Sequence, residues 1–315
     1  MIASEVAISV GAPSARAARQ GIGLMSLATL MYATNDTLVK LATNDLTPTN
    51  AMFFRGAAAV LWIVPFLLVT RRRLNFRAMT NPWVLFRSGL HLGSVICFMA
   101  SIQHLPLGDL VALGQLSPAL LIVGVWMVWG EAIGRLRLAF VVLALIGALM
   151  LARPGQDGFS AYALLGLASA VLGALRDMIG RQIPLEIPVL EVVMANLLFE
   201  IVGAGLFATA TSSWAMPAPL IIGMLTGSGL FLAIGHSLFF FSYRVGTIGR
   251  VAPFYYLYPL WSFLSGMLVF GDPISGIGLA GIAMILASGV AIVMTHAEEA
   301  RPDSTQEPTR SRPDP

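Results

Sequence analysis

The sequence predicts an all-α membrane protein of ten transmembrane helices, arranged as two inverted five-helix repeats. Three observations predict it. Composition is the first: 57% of residues are hydrophobic and 11% are charged, against about 25% charged in soluble domains, and mean hydropathy is +0.80. The apolar residues also form continuous runs close to the roughly 20 residues that a helix needs to cross a bilayer. Lipid leaves the backbone only helices or closed barrels, and runs without alternation favour helices. The third observation is an internal repeat. Shifted by 141 positions, the separation of Pro118 from Pro259, Gly130-Glu131 falls on Gly271-Asp272, Ile133 on Ile274 and Leu138-Ala139 on Leu279-Ala280. The same shift, without a gap, lays Asp36 on Asp177, Lys40 on Arg181 and Phe98 on Phe239. One offset that holds from Asp36 to Ala139 marks a duplicated unit.

Residues 1–20 form a polar cytoplasmic segment with Arg16 and Arg19 just ahead of the first span. The segment lacks the sustained apolar core of a signal peptide. Spans follow at about 21–42, 50–70, 83–104, 109–129 and 136–152, which make the first repeat, 21–153. Spans at about 161–182, 189–210, 218–242, 251–270 and 274–295 make the second, 161–295. The tail 296–315, rich in Pro, Asp, Arg, Ser and Thr, is expected to be disordered.

Orientation comes from the loops. With the N-terminus inside, the cytoplasmic loops hold Arg71, Arg72, Arg73, Arg77 and Arg87, then Arg135 and Arg137, Arg181, and Arg244 and Arg250. The opposite loops hold only Arg153. By the positive-inside rule both termini are cytoplasmic. Five spans per repeat is an odd number, so the second repeat enters the membrane upside down, an arrangement common in secondary transporters. The net charge of +3 therefore encodes topology and not a nucleic-acid partner. The lone cysteine, Cys97, excludes an internal disulfide and paired-thiolate metal binding.

Lys40 closing span one, Phe53-Phe54-Arg55-Gly56 opening span two, His104-Leu105-Pro106-Leu107-Gly108, Leu116-Ser117-Pro118 and Gly130-Glu131 resemble the EamA-type branch of the drug/metabolite transporter superfamily. The resemblance spans nearly all of residues 21–295. It implies ten helices in two inverted repeats, cytoplasmic termini in an inner membrane, and movement of small organic solutes, often outward. Relatives handle amino acids, riboflavin-like vitamins, nucleotide precursors and drugs, so no one solute is implied.

Ionisable groups inside spans cost roughly 2.5–3.5 kcal/mol each on insertion scales and mark functional candidates. Tyr32, Asn35, Asp36 and Lys40 share one helix face, with Asp36 and Lys40 spaced as an i,i+4 pair. The copy in span six carries Asp177 and Arg181, with Arg176 added. These charges line a cavity or gate, or they only hold the helix ends by snorkelling. Arg55, whose copy is Asn196, either forks onto a substrate carboxylate or pairs with Asp36. Glu200, mid-span in span seven, is the candidate proton carrier, or else a carboxyl bonded to a neighbouring helix. Glu191 is expected at the interface. His91 and His236 titrate near neutral pH or serve as satisfied interhelical donors, and Gln115 offers an amide. Phe254, Tyr255, Tyr256, Tyr258 and Trp261, beside Pro253 and Pro259, stack on a planar solute or form an interfacial belt. Trp126 and Trp129 are read as belt. Gly203, Gly205, Gly223, Gly227 and Gly229 are assigned to close helix packing.

The sequence has no phosphate-cradling Gly-x-x-x-x-Gly-Lys-Ser/Thr loop and no His-Glu-x-x-His, so neither cofactor nor metal is expected. The expectation is a secondary transporter that exports an amino acid or similar metabolite across the bilayer, with protons as candidate coupling ion. A monomer suffices for transport, and dimers stay open. The rival within transport is a vitamin- or nucleoside-type uptake facilitator. An intramembrane enzyme would need a clustered acid/His/Ser site, whereas the polar groups here are spread over both halves.

Overall fold

The computed structural model describes residues 15–70, 74–130, 134–152, 161–180, 182–184, 186–211, 213–245, 251–272 and 275–299. Among them there is no strand. The helices are α1 (Ala15–Ala42), α2 (Pro48–Thr70), the single turn α3 (Phe76–Met79), α4 (Pro82–Ile102), α5 (Leu107–Gly114), α6 (Ser117–Trp129) and α7 (Arg135–Ala152). There follow α8 (Ala161–Gly180), α9 (Val189–Ala210), α10 (Pro219–Val245), a 3₁₀ turn (Ala252–Tyr256), α11 (Leu257–Ser265), a π turn (Gly266–Phe270) and α12 (Gly276–Glu299). Arg71, Arg72, Arg73, Glu131, Ile133, Arg153, Arg181, Arg250, Ile274 and both chain ends (1–14 and 300–315) lie outside the described residues.

Local chemistry sets the helix ends. The Asn81 side chain accepts from the Trp83 N–H at 2.9 Å, and Pro82 occupies the first turn of α4, where no backbone donor is needed. Asn75 caps α3 in the same way. Gly130 ends α6 at φ 68° and Gly271 follows the π turn at φ 66°; both take the left-handed conformation that a side chain disfavours. These two glycines are repeat mates.

Two expected spans are not continuous helices. Span four breaks at Gly114–Leu116 between α5 and α6, and span nine begins as a 3₁₀ turn before α11. Pro118 and Pro259 explain the breaks: neither has an N–H, so the i→i−4 ladder cannot close across it. Among the described residues, five stretches are long and apolar enough to cross a membrane: Pro82–Ile102, Leu107–Val128, Ala161–Gly180, Leu190–Ala210 and Pro219–Phe239. Shorter apolar helices run over Leu138–Gly147, Phe254–Phe270 and Gly276–Ala291. Large apolar side chains such as Leu61, Met127, Leu206, Leu220 and Leu268 (82% exposed) point outward. In lipid that exposure carries no hydrophobic penalty.

Packing builds the interior. α1 lies along α10, α4 along α8, α2 along α9 and α7 along α12, while α11 inserts against α1 and α5. One core cluster joins Ala112, Leu113 and Leu116 to Val141, Ala170 and Ile285. Another joins Val39 and Met52 to Met99, Ile102 and Leu107. Small residues let backbones meet. A Cβ on Gly108 would lie 2.7 Å from Phe263 Cα, and one on Gly147 would lie 2.7 Å from the Gly281 carbonyl. Gly203 and Gly229 are similarly tight, as expected, but Gly223 has nothing within 4 Å and does not mediate packing.

Candidate functional site

Polar side chains enter this apolar bundle only where other helices satisfy them, because an unpaired polar group in a low dielectric costs several kcal/mol. At the centre, Asp36 (4% exposed) accepts from the Asn35 amide at 2.8 Å and from the Tyr258 hydroxyl of α11. The Asn35 oxygen accepts from Ser228 of α10 at 2.7 Å. Arg55 of α2 forms an ion pair with Glu200 of α9, both almost fully buried, and its charge also reaches Asp36. One guanidinium thus serves two carboxylates. Asn196, the repeat mate of Arg55, accepts from Ser88 at 2.9 Å, so both positions are polar and bonded.

Two pairings that the sequence raised, one from spacing and one as an alternative for Arg55, do not form. Asp36 and Lys40 fall on one helix face, yet Asp36 turns to Tyr258 and Lys40 leaves for the helix end. There Lys40 donates to the Leu105 carbonyl at 2.8 Å, lies 3.7 Å from Asp272 and sits over the Phe270 ring at 4.7 Å. Asp272 in turn accepts from the Leu107 N–H at 3.2 Å. The second correction is Arg55, whose direct partner is Glu200 and not Asp36: the opposing helix presents a carboxylate at closer range. Glu191, expected at an interface, is 1% exposed, because α9 packs its first turn inward.

The opposite end of the cluster is more open. Arg176 of α8 grips the adjacent Asp177 with Nε and Nη2 at 2.8 and 3.1 Å, and its Nη1 lies 3.4 Å from His91 Nδ1. Arg87 of α4 lies 3.9 Å from the same Asp177. The Asp177 side chain is 38% exposed against 2% for Glu200. This end is therefore the more exposed of the two, since the Lys40 and Asp272 side chains are 10% and 21% exposed.

A ring cluster bridges the two levels. Tyr32 meets His236 edge-on at 5.2 Å, Tyr258 at 5.9 Å and Phe239 at 6.5 Å; Phe239 meets Tyr255 at 5.6 Å. His236 is exposed on one side, although Tyr32 covers one edge of its ring and the charges of Arg55 and Arg176 reach it. Tyr256 stands apart, with its ring against Gly289 of α12. Gln115, at the α5–α6 break, is buried with its side-chain oxygen unpartnered. Trp126 is 52% exposed near the end of α6. A shallow hollow lined by Asp45, Leu46, Met216, Leu220 and Ile221 lies apart from all these groups.

The structure thus links Tyr32, Asn35, Asp36, Arg55, His91, Arg176, Asp177, Glu200, His236 and Tyr255 in one interhelical cluster of contacts and charges, and sets Lys40, Gln115 and Tyr256 outside it. Spacing alone did not single out Tyr258, which was one of five neighbouring rings. Arg87 carried only a topological signal. Among the described residues no group of His, Cys, Asp and Glu could hold a metal ion.

Comparison with known proteins decides the family. Residues 19–153 match the EamA-like transporter family. The pseudopaline exporter of Pseudomonas aeruginosa strain UCBPP-PA14 is 27% identical over 88% of this chain and 97% of its own. These likenesses support membership of the drug/metabolite transporter superfamily. The riboflavin transporter of Rhizobium johnstonii is 28% identical over 80% of this chain and 83% of its own. That of Vibrio cholerae is 25% identical over 90% and 95%. A protein of known crystal structure superposes with TM-score 0.63 at 16% identity, covering 90% of this chain and 99% of its own, a likeness of fold alone. This EamA-type chain is a multi-pass membrane transporter.

Proposed function

We propose that the protein is a secondary transporter of the inner membrane that exports a small organic metabolite, an amino acid or similar, by alternating access. The carrying observation is the buried network of Asp36, Tyr258, Arg55 and Glu200, which draws on helices of both halves. Charges held dry between two bundles are expensive, and transporters keep them where a solute must cross.

The two inverted repeats, 21–153 and 161–295, find support in the packing. The 141-residue shift exchanges α1 with α8 and α10 with α4, so the α1–α10 contact has its counterpart in α8–α4. It also exchanges α10–α2 for α4–α9, and α1–α11 for α8 against α5 and α6. The left-handed Gly130 and Gly271 obey the same shift. With both termini cytoplasmic, as the arginine bias argues, Lys40–Asp272 closes the outer end and the space beside Asp177 opens inward.

Two acids sharing one arginine leave the central network one proton short of neutrality. Glu200 or its neighbour Asp36 therefore carries the coupling proton in this reading. A second reading, uptake of a flat vitamin-like solute, draws on the ring cluster and on the similarity to proteins named riboflavin transporters.

The test is untargeted mass spectrometry of medium and cell extract from cells expressing wild type or Asp36→Asn. A solute that accumulates outside only with wild type, and no longer does so when a protonophore collapses the gradient, supports coupled export. A solute depleted from the medium supports uptake instead. No wild-type-dependent change in any solute would remove the transport assignment of this site.

A further inference from the structure

The open end of the cluster has a charge arrangement that the central network lacks. Two guanidinia, Arg87 and Arg176, converge on the single carboxylate of Asp177. Arg176 satisfies it with a two-pronged grip, which leaves Arg87 beyond hydrogen-bond range at 3.9 Å. The Arg87 Nη1 is buried without a hydrogen-bond partner among the described residues. An unused charged donor inside protein is costly, and the partner that best relieves it is a two-oxygen anion matched to the guanidinium fork. His91 borders the same point through Arg176.

The acids near this space are already taken. Asp177 is held by Arg176, Glu200 by Arg55, and Asp36 by Tyr258 and Asn35. None of these carboxylates is left to hold an ammonium group. Beside Arg176 stands Tyr255, the near edge of the wall formed with Phe239, Tyr32 and Tyr258. Rings packed edge-to-face beside this more exposed end offer an apolar face to a flat solute.

Resting on the transport reading above but replacing its amino-acid solute, we infer that the site takes an organic anion that bears a planar ring and no ammonium group. Arg87, Arg176 and His91 receive its carboxylate, and Tyr32, Tyr255 and Phe239 receive its ring. The selectivity is against cations and against neutral analogues of the same shape.

Four probes separate these elements by thermal stabilisation of the detergent-purified full chain: indole-3-acetate, its neutral amide, the cation tryptamine, and cyclohexylacetate, which keeps the charge but lacks the flat ring. Binding to the folded state raises the unfolding midpoint by mass action. Indole-3-acetate is expected to raise the midpoint, with the amide and tryptamine silent and cyclohexylacetate weaker by about tenfold in apparent affinity. Arg87→Gln should weaken indole-3-acetate by about tenfold or more, and Arg87→Lys, which keeps the charge without the fork, by less. The proposal is overturned if the amide equals the acid, if tryptamine gives the largest shift, or if both Arg87 variants respond like wild type. Should no probe bind while cells still show wild-type-dependent solute movement, the anion assignment fails and the transport reading stands. Should indole-3-acetate bind while no solute moves, the anion site stands and the transport reading fails.

Discussion

Replacing either member of the Arg55–Glu200 pair tests whether this pair is a dry ion pair. Both groups are almost entirely buried, at 6% and 2% exposure. Removing one partner of a buried pair costs about 3–5 kcal/mol, because the survivor remains charged in a low dielectric. The structure makes the two losses unequal. In Glu200→Gln the stranded guanidinium still feels Asp36, so the loss should fall near the lower bound, about 3 kcal/mol. In Arg55→Gln two acids lose their shared cation, and the loss should reach about 4–5 kcal/mol at neutral pH. An acid can escape by taking up a proton, whereas a guanidinium cannot shed one. The Arg55→Gln loss should therefore shrink as pH falls, by at most about 1.4 kcal/mol per unit for each acid, and the Glu200→Gln loss should not. The double variant Arg55→Leu/Glu200→Leu should cost less than Arg55→Gln, since it strands one acid, Asp36, and not two. Reversible unfolding in mixed micelles of sodium dodecyl sulfate and a mild detergent reads all three. Single variants within about 0.5 kcal/mol of wild type, the range of ordinary surface substitutions, would refute the dry pair.

Other contacts make further predictions. Tyr258→Phe removes the hydroxyl that Asp36 accepts from, and should cost about 1–3 kcal/mol in the same unfolding assay. It should also reduce movement of whichever solute the mass-spectrometric comparison identifies. Gly108→Ala forces a Cβ onto the Phe263 backbone and should cost about 1–3 kcal/mol by prising α5 from α11, while Gly223→Ala, with open space around it, should cost nothing measurable. Asp272→Asn weakens the Lys40 and Leu107 contacts that close one end; in a Cys97→Ala background, an impermeant maleimide should then react faster with a cysteine at Thr37. In that background, cysteines at Arg77 and Gln182 should label only from the cytoplasm, and cysteines at Asp45 and Ser213 only from outside. The reverse pattern would invert the topology.

The sequence by itself determined the class of the molecule and much of its plan. Composition demanded lipid, run length demanded helices, and the 141-residue offset aligned Gly130 with Gly271, which the structure shows to share a left-handed conformation. It also drew attention to Asp36, Arg55, Asp177 and Glu200, because an in-span charge is rare enough to stand out in one dimension. What it could not determine was pairing. Helix periodicity put Asp36 and Lys40 on one face, but a side chain chooses its partner from every helix within reach, and those neighbours are hundreds of residues away in the chain. Tyr258 reaches Asp36 from α11 and Asp272 reaches Lys40 from beyond the π turn. Arg87 counted only toward topology until α4 packed along α8 and brought it to Asp177. Spans four and nine read as continuous in one dimension, and although Pro118 and Pro259 each lack a donor, whether each became a bend or a full interruption rested on the helices packed around it. Local chemistry fixes which groups must be satisfied; only the assembled bundle decides by whom.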